Sequence, residues 1–423
     1  MTLLNGLSAI YLQKQQINAN NQFMKNIKIP AVILMVMLYG VTSTVFGQKV
    51  NVPQQFNYAE QQTNYMLDEL KTADTSGGLV SPRTFENGKF RLVNVKDWTN
   101  GFFAGILWFY YDYTKDTKWL QQAQIYTAKL TGEQYDKGTH DLGFMIYCSF
   151  GNGYRITGDT NYRKVIIQAA KSLSTRFNAK AGVIRSWDHN KDKWTYPVII
   201  DNMMNLELLF KATRLTGDSS YYKIAVSHAN HTMINHYRPD YSSYHVVDYN
   251  PETGAVIQKN TAQGYSDESA WARGQAWGLY GYTMCYRETH DKRYLLLAQN
   301  IAKFIFNNPT LPKDLIPYWD YNDPAIPNAP HDVSAAAITA SALYELALYS
   351  PGSDYREKAN TILANLDKSY KAPLNSNGDF ILLHSTGHKP AKSEIDVPII
   401  YADYYYLEAL LRSKMTIKDY TGR

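Results

Sequence analysis

One short turn recurs along the chain, as Thr114–Trp119 (TKDTKW), Thr157–Tyr162 (TGDTNY), Thr216–Tyr221 (TGDSSY) and Thr289–Tyr294 (THDKRY), with a looser copy at Ser350–Tyr355 (SPGSDY). Each copy follows one apolar helical stretch and precedes another. A Gly or polar residue ends the first helix, Asp caps the second, and the aromatic residue after Asp packs back across the joint. A chain that reuses one joint folds as an array of helical pairs.

Reading outward from these joints predicts twelve helices, at about 57–73, 98–114, 118–130, 141–156, 160–177, 201–215, 219–236, 268–288, 292–306, 332–349, 354–369 and 396–413. Helices before a joint are apolar nearly all round, whereas those after it carry one apolar stripe and many Lys, Gln and Asn. The first kind are inner helices and the second outer. Connections from outer to inner helices are longer, at 135–140, 178–200, 237–267, 307–331 and 371–395. The pattern describes an all-α (α/α)6 toroid in a single domain over residues 48–423. A two-domain helical protein is the competitor, but no Pro/Gly/Ser linker divides the chain. Long loops gather on one rim, so functional residues are expected at the N-terminal ends of the inner helices.

Composition narrows the classes. With 45% apolar residues and two Cys in 423 residues, the chain is neither disordered nor a disulfide scaffold. Both Cys148 and Cys285 sit in apolar helical patterns and are expected as buried free thiols. The net charge of +5 comes from scattered Lys and Arg, which argues against a nucleic-acid partner. The count of 35 Tyr suits either sugar stacking or packing. From Met24 the chain carries two lysines, an apolar stretch from Ile29 to about Gly40, then small and polar residues to Gly47. That order is a secretory signal peptide, too short in its apolar part for a span of about 20 residues. Residues 1–47 are therefore expected to be upstream segment and leader, with a mature protein starting near Gln48 in the periplasm. No Cys follows the apolar stretch to carry a lipid anchor, and no membrane span is expected.

On the predicted rim, Asp141 and Asp201 open neighbouring inner helices, beside His140 and Asn202. Each Asp has an alternative reading as a helix cap. A pair of carboxylates is also what glycoside hydrolysis needs on either side of the scissile bond. Arg273 lies in an otherwise apolar helix and wants an anion, either a substrate carboxylate or an internal partner such as Glu268. Trp98 and His245 belong to the same rim. No G-x-S-x-G, H-E-x-x-H or Cys/His cluster occurs, so neither a serine triad nor a metal or organic cofactor is expected.

Taken in order, the segments WTNGFFAGILW (Trp98–Trp108), HDLGF (His140–Phe144), IIDNMMN (Ile199–Asn205), HVVD followed by PETG (His245–Gly254) and QGYSDESAWARGQAW (Gln263–Trp277) resemble the unsaturated glucuronyl hydrolases of glycoside hydrolase family 88. The resemblance covers nearly all of the chain beyond the leader. It implies the (α/α)6 toroid and removal of the 4,5-unsaturated uronic acid from the non-reducing end of lyase-generated oligosaccharides. It further implies that Asp201 protonates C4 and assists water attack at C5, and that Asp141 orients the ring. His140, His245, Gln263 and Arg273 would contact substrate, with Trp98 and Trp277 as stacking faces. Arg273 is expected to hold the uronate carboxylate. A rhamnogalacturonyl hydrolase, an epimerase on the same toroid and a non-catalytic sugar-binding protein are the competing readings. The parent polysaccharide (glycosaminoglycan, ulvan, gellan or xanthan) is left open, as is whether His388, Lys389 and Lys392 meet a sulfate or are solvated surface charge.

Overall fold

The repeated joints behave as their chemistry requires. In a computed structural model, which describes residues 50–421, the backbone turns left-handed at Lys115, Gly158, Gly217 and His290. The Asp that follows each accepts a backbone N–H two residues on: Asp116 from Lys118, Asp159 from Asn161, Asp218 from Ser220 and Asp291 from Arg293. Aromatic rings then close three of the joints, with centroids 4.7 Å apart for Trp119 and Tyr110, 6.0 Å for Tyr162 and Trp108, and 5.8 Å for Tyr294 and Tyr282. At the third joint in the series Tyr222, not Tyr221, meets the inner helix, 5.6 Å from Phe210. The fifth joint differs: Asp354 precedes its helix without a side-chain cap bond.

The helices are α1 (Val52–Leu70), α2 (Asn100–Thr114), α3 (Thr117–Lys129), α4 (π-helical over Gly143–Gly151, α-helical over Asn152–Thr157), α5 (Thr160–Ser174), α6 (Asn202–Thr216), α7 (Ser219–Asn235), α8 (Ala272–Thr289), α9 (Lys292–Asn307), α10 (Val333–Tyr349), α11 (Tyr355–Asn365), α12 (Ile400–Arg412) and a short α13 (Ile417–Thr421). Even-numbered helices α2 to α12 touch in sequence, and α12 touches α2, so the inner ring closes. The all-α (α/α)6 toroid is the observed fold. Three helix starts move relative to expectation, the first being α1, which begins at Val52 and not near 57. Residues 268–271 are loop because Trp271 bridges to Asp320, and residues 396 and 397 end a strand rather than open α12, which starts at Ile400.

Close approach within the ring is bought with glycine. A Cβ on Gly143 would lie 2.5 Å from Asn205 Cα, and one on Gly101 would lie 2.0 Å from Phe144 O. Tyrosine supplies much of the core, with Tyr110, Tyr282, Tyr294, Tyr344, Tyr401, Tyr405 and Tyr406 buried. Cys148 and Cys285 are buried free thiols.

The long loops hold short antiparallel strands that the periodicity does not reveal. Those that matter for the site are β5 (Pro197–Ile199), β6 (Val246–Tyr249) and β7 (Val256–Asn260), in one sheet, and the hairpin β8 (Ser385–His388) with β9 (Ser393–Val397); β1 (Leu79–Glu86) and β2 (Lys89–Asn94) form an earlier hairpin, and β3 (Phe177–Asn178) pairs with β4 (Val183–Ile184). The expected leader and the expected start of the mature chain, within residues 1–49, lie outside the described residues.

Candidate active site

A cavity of about 430 Å³ opens where the inner helices begin, and Trp98, His140, Asp141, Asp201, His245 and Gln263 all line it. Asp201 reaches it from β5. Pro197–Ile199 pairs with Val246–Asp248, and the next residue, Ile200, donates its N–H to His245 O at 3.1 Å, so Asp201 and His245 emerge side by side. Asp201 occupies the cap position of α6, yet its side chain makes no cap bond. The capping alternative therefore fails for this carboxyl. Its Oδ2 lies 3.7 Å from His245 Nε2, and each of these atoms is buried without a hydrogen-bond partner.

The state of His245 follows from its other nitrogen. Nδ1 accepts the backbone N–H groups of Ala262 and Gln263, both at 3.0 Å. The ring proton must then sit on Nε2, facing Asp201. Burial drives the imidazole pKa well below its ordinary value, so His245 is a neutral donor. Burial also pushes Asp201 up to about 7; the positive charge of Arg273 opposes this and the Asp141 carboxylate adds to it.

Asp141 sits just before the π-helical turn of α4. Its carboxylate accepts from Thr139 Oγ1 at 3.2 Å and Asn205 Nδ2 at 3.5 Å, with His140 Nε2 at 3.2 Å. Asn205 is itself held by Phe144 N–H on its Oδ1 at 3.0 Å, across the contact that Gly143 permits. Burial raises Asp141 to about 7 and lowers His140 to about 3. The cavity therefore holds two carboxyls that can take or give a proton near neutral pH, beside two uncharged imidazoles.

Gln263 presents its amide the same way. Its Oε1 accepts from Arg273 Nη2 at 3.2 Å, which leaves the NH2 for the cavity. His388, on the cavity wall, accepts Ala391 N–H on Nδ1 at 3.2 Å and so carries its proton on Nε2. His245, Gln263 and His388 thus form a wall of neutral donors whose acceptor sides are already occupied.

Two expectations fail. Arg273 does not line the cavity: it is 2% exposed, Nη1 bonds Asp332 Oδ2 and Thr386 O at 2.6 Å each, and Nη2 also reaches Gly387 O. Both Nη atoms are thus committed to protein partners, and the anion of Arg273 is Asp332, not Glu268, which pairs with Arg238. Trp277 is fully buried against Phe144 and Tyr405 and offers no stacking face. Its indole Nε1 is buried without a hydrogen-bond partner. Lys389 is half-buried and paired: its ammonium meets Asp323 at 2.7 Å over the Trp319 ring.

The loop after β4 supplies wall residues that the sequence reasoning missed, namely Trp187, His189, Asn190 and Trp194. Trp187 stacks on His189, with centroids 5.4 Å apart and planes 18° apart, and Trp194 stands edge-on to it at 5.2 Å. Two Trp around His-Asn in an aperiodic, polar loop were the available signal. Among the described residues no Tyr lines the cavity, so tyrosine at this site serves packing. Among the described residues, no group of three or more His, Cys, Asp or Glu is arranged to hold a metal ion.

Comparison with known proteins adds an independent line. Residues 79–406 match the sequence profile of Glycosyl Hydrolase Family 88. The chain is 50% identical over 327 residues to an unsaturated glucuronyl hydrolase of Formosa agariphila, an alignment covering 77% of this chain and 82% of that protein. It is 36% identical to an unsaturated chondroitin disaccharide hydrolase of Streptococcus agalactiae, over 78% of this chain and 85% of the relative. Among solved structures, an unsaturated glucuronyl hydrolase specific for heparin superposes with a TM-score of 0.81 at 46% identity, covering 85% of this chain and 96% of the other.

Proposed function

This chain belongs to Glycosyl Hydrolase Family 88, and from that premise we propose that it removes the 4,5-unsaturated uronic acid from the non-reducing end of lyase-generated oligosaccharides, with Asp201 as the proton donor. One observation carries the assignment: Asp201 opens an inner helix without capping it, and burial holds its carboxyl proton up to about pH 7.

The chemistry follows from what each group can do. Asp201 gives its proton to C4 of the enol ether, leaving an oxocarbenium ion across C5 and the ring oxygen. A water adds to C5 and returns a proton to the Asp201 carboxylate, so the acid is regenerated. The resulting hemiketal opens by breaking the C5–ring oxygen bond, giving a C5 ketone and a C1 hemiacetal. That hemiacetal collapses to the aldehyde and releases the remaining sugar. Asp141, held by Thr139 and Asn205, accepts from ring hydroxyls and fixes the sugar's orientation. The donor wall of His245, Gln263 and His388 suits the uronate carboxylate without bringing a charge of its own. Trp98 and Trp187 supply aromatic faces.

The apolar leader at residues 29–40, preceded by lysines, supports export to the periplasm and maturation near Gln48. N-terminal sequencing of the exported protein is expected to read from that region.

Ultraviolet absorbance of the conjugated C4=C5 uronate, followed in a panel of heparin, chondroitin and ulvan lyase disaccharides, tests the function. Wild type is expected to abolish the absorbance of at least one member and Asp201→Asn of none. A folded wild type that leaves the whole panel intact would overturn the reading.

A further inference from the structure

Arg176 follows α5 and does not line the cavity, yet it touches both loops that do. It is 7% exposed. Its Nη1 donates to Lys137 O at 2.7 Å, one residue before the segment Gly138–Asp141 that carries His140 and Asp141 into the cavity. The same Nη1 reaches Asp188 Oδ2 at 2.8 Å, and Nε donates to Arg185 O at 2.8 Å, on either side of Ser186 and Trp187. Its own carbonyl accepts Tyr196 Oη at 2.6 Å and Arg185 N–H at 3.0 Å, just before β5 and Asp201. One planar fork thereby spans two walls that no strand joins.

We propose that Arg176 is a positioning residue that ties the loop holding Asp141 to the loop holding Trp187, so that the walls around the uronate and the leaving sugar move as one body. The inference rests on the function proposed above for what the two walls bind. The tie itself rests on the geometry alone. The guanidinium is also one of the charges acting on the neighbouring groups: Asp141 feels Arg176 and Asp97, and Asp201 in turn feels Asp141 and Arg273. Its charge lowers the Asp141 pKa against the effect of burial.

Arg176→Met, Arg176→Lys and Asp188→Ala test the tie, the last at a side chain 45% exposed and tolerant of change. Hydrogen exchange comes first because it needs no turnover. Residues 136–141 and 185–190 are expected to lose protection together in Arg176→Met, while α9 keeps its own. Kinetics then use an unsaturated disaccharide and the methyl glycoside of the same unsaturated uronate. For Arg176→Met the expected loss in kcat/KM is about tenfold on the methyl glycoside and about 100-fold on the disaccharide, the difference lying in KM. The Asp141 limb of its pH profile is expected to move up. Lys restores the limb, because charge suffices there, but not KM, because the fork is lost. Asp188→Ala is expected to raise KM for the disaccharide alone. Equal losses on both substrates with an unmoved limb would reduce Arg176 to a fold residue and overturn the proposal, as would unchanged exchange in both loops. Should Arg176→Met not fold, Arg176→Lys and Asp188→Ala still separate a tie between the walls from a purely structural role. A wild type inactive on both substrates would sink the function, while the exchange data would still decide the tie.

Discussion

Burial raises the Asp201 pKa by disfavouring its charged form, and that displacement acts on rate and stability in opposite directions. The folded value is about 7, against an unfolded value of about 3.9. The folded state therefore keeps a proton that the unfolded chain gives up. Stability from this group is complete below about pH 4 and is lost as pH rises through 7. Asp201→Asn removes that loss, so its melting temperature is expected to exceed wild type by on the order of 1–3 °C at pH 8 and to match it at pH 4. Activity runs the other way: the variant is expected to lose about 10²- to 10⁴-fold in kcat, and wild-type kcat/KM should fall as pH rises through 7 and the donor deprotonates. Calorimetry and a pH–rate profile check both signs. Asp403, buried and raised to about 8 while accepting the Ile381 and Leu382 N–H groups, adds to the same alkaline loss.

Legibility at this scale depended on the chain's direction at each residue. His140, Asp141 and Asp201 start inner helices, and a helix start is readable from joint spacing. Arg273 and Trp277 lie inside α8, which is buried on nearly all sides. Such a helix has no polar face to say which side chains look toward the cavity, so the sequence could not show that Arg273 turns to Asp332 and Trp277 into the core. Trp187 and Trp194 sit in a loop without any period to read.

Between elements, the reused joint permits a controlled comparison. Asp159 and Asp218 each accept a backbone N–H at 2.8 Å, whereas Asp354 accepts none and only pairs with Lys358. A cap bond to the backbone is worth about 1 kcal/mol and an exposed helical ion pair only about 0.3–0.5 kcal/mol. Asp159→Ala and Asp218→Ala are each expected to lower unfolding stability by about 1 kcal/mol, and Asp354→Ala by less than about half of that. Equal losses in urea denaturation would refute the distinction. Helix order and the inner and outer roles were legible because joints and stripes repeat. The shortest strands were not, since β5 has three residues and β3 and β4 two each, too few for an alternation to show.

The whole ring has two unlike ends. Inner helices begin at the cavity, so their positive dipole ends surround the place where an anionic sugar would bind. Their C-terminal ends gather Arg287 and Arg412 with Glu288, Glu345 and Glu408, and Glu207 joins them from the first half of α6, all at most partly exposed. Arg287 Nη1 holds Glu345 through both oxygens at 2.9 and 3.0 Å, and Arg412 meets the same carboxylate at 3.0 Å, so α8, α10 and α12 are tied at one point and Glu207 brings in α6. Arg273 and Arg287 are fourteen residues apart on α8, a separation of about 21 Å along its axis. Removing Glu345 would leave two buried cations sharing fewer anions, which costs about 3–5 kcal/mol. Glu345→Leu is therefore expected to lower unfolding stability in urea by that much while KM and the pH profile at 25 °C stay at wild-type values. A shifted KM in a variant that is still folded would mean that the two ends are coupled through the inner helices, and the cavity could then no longer be treated as set by its rim loops alone.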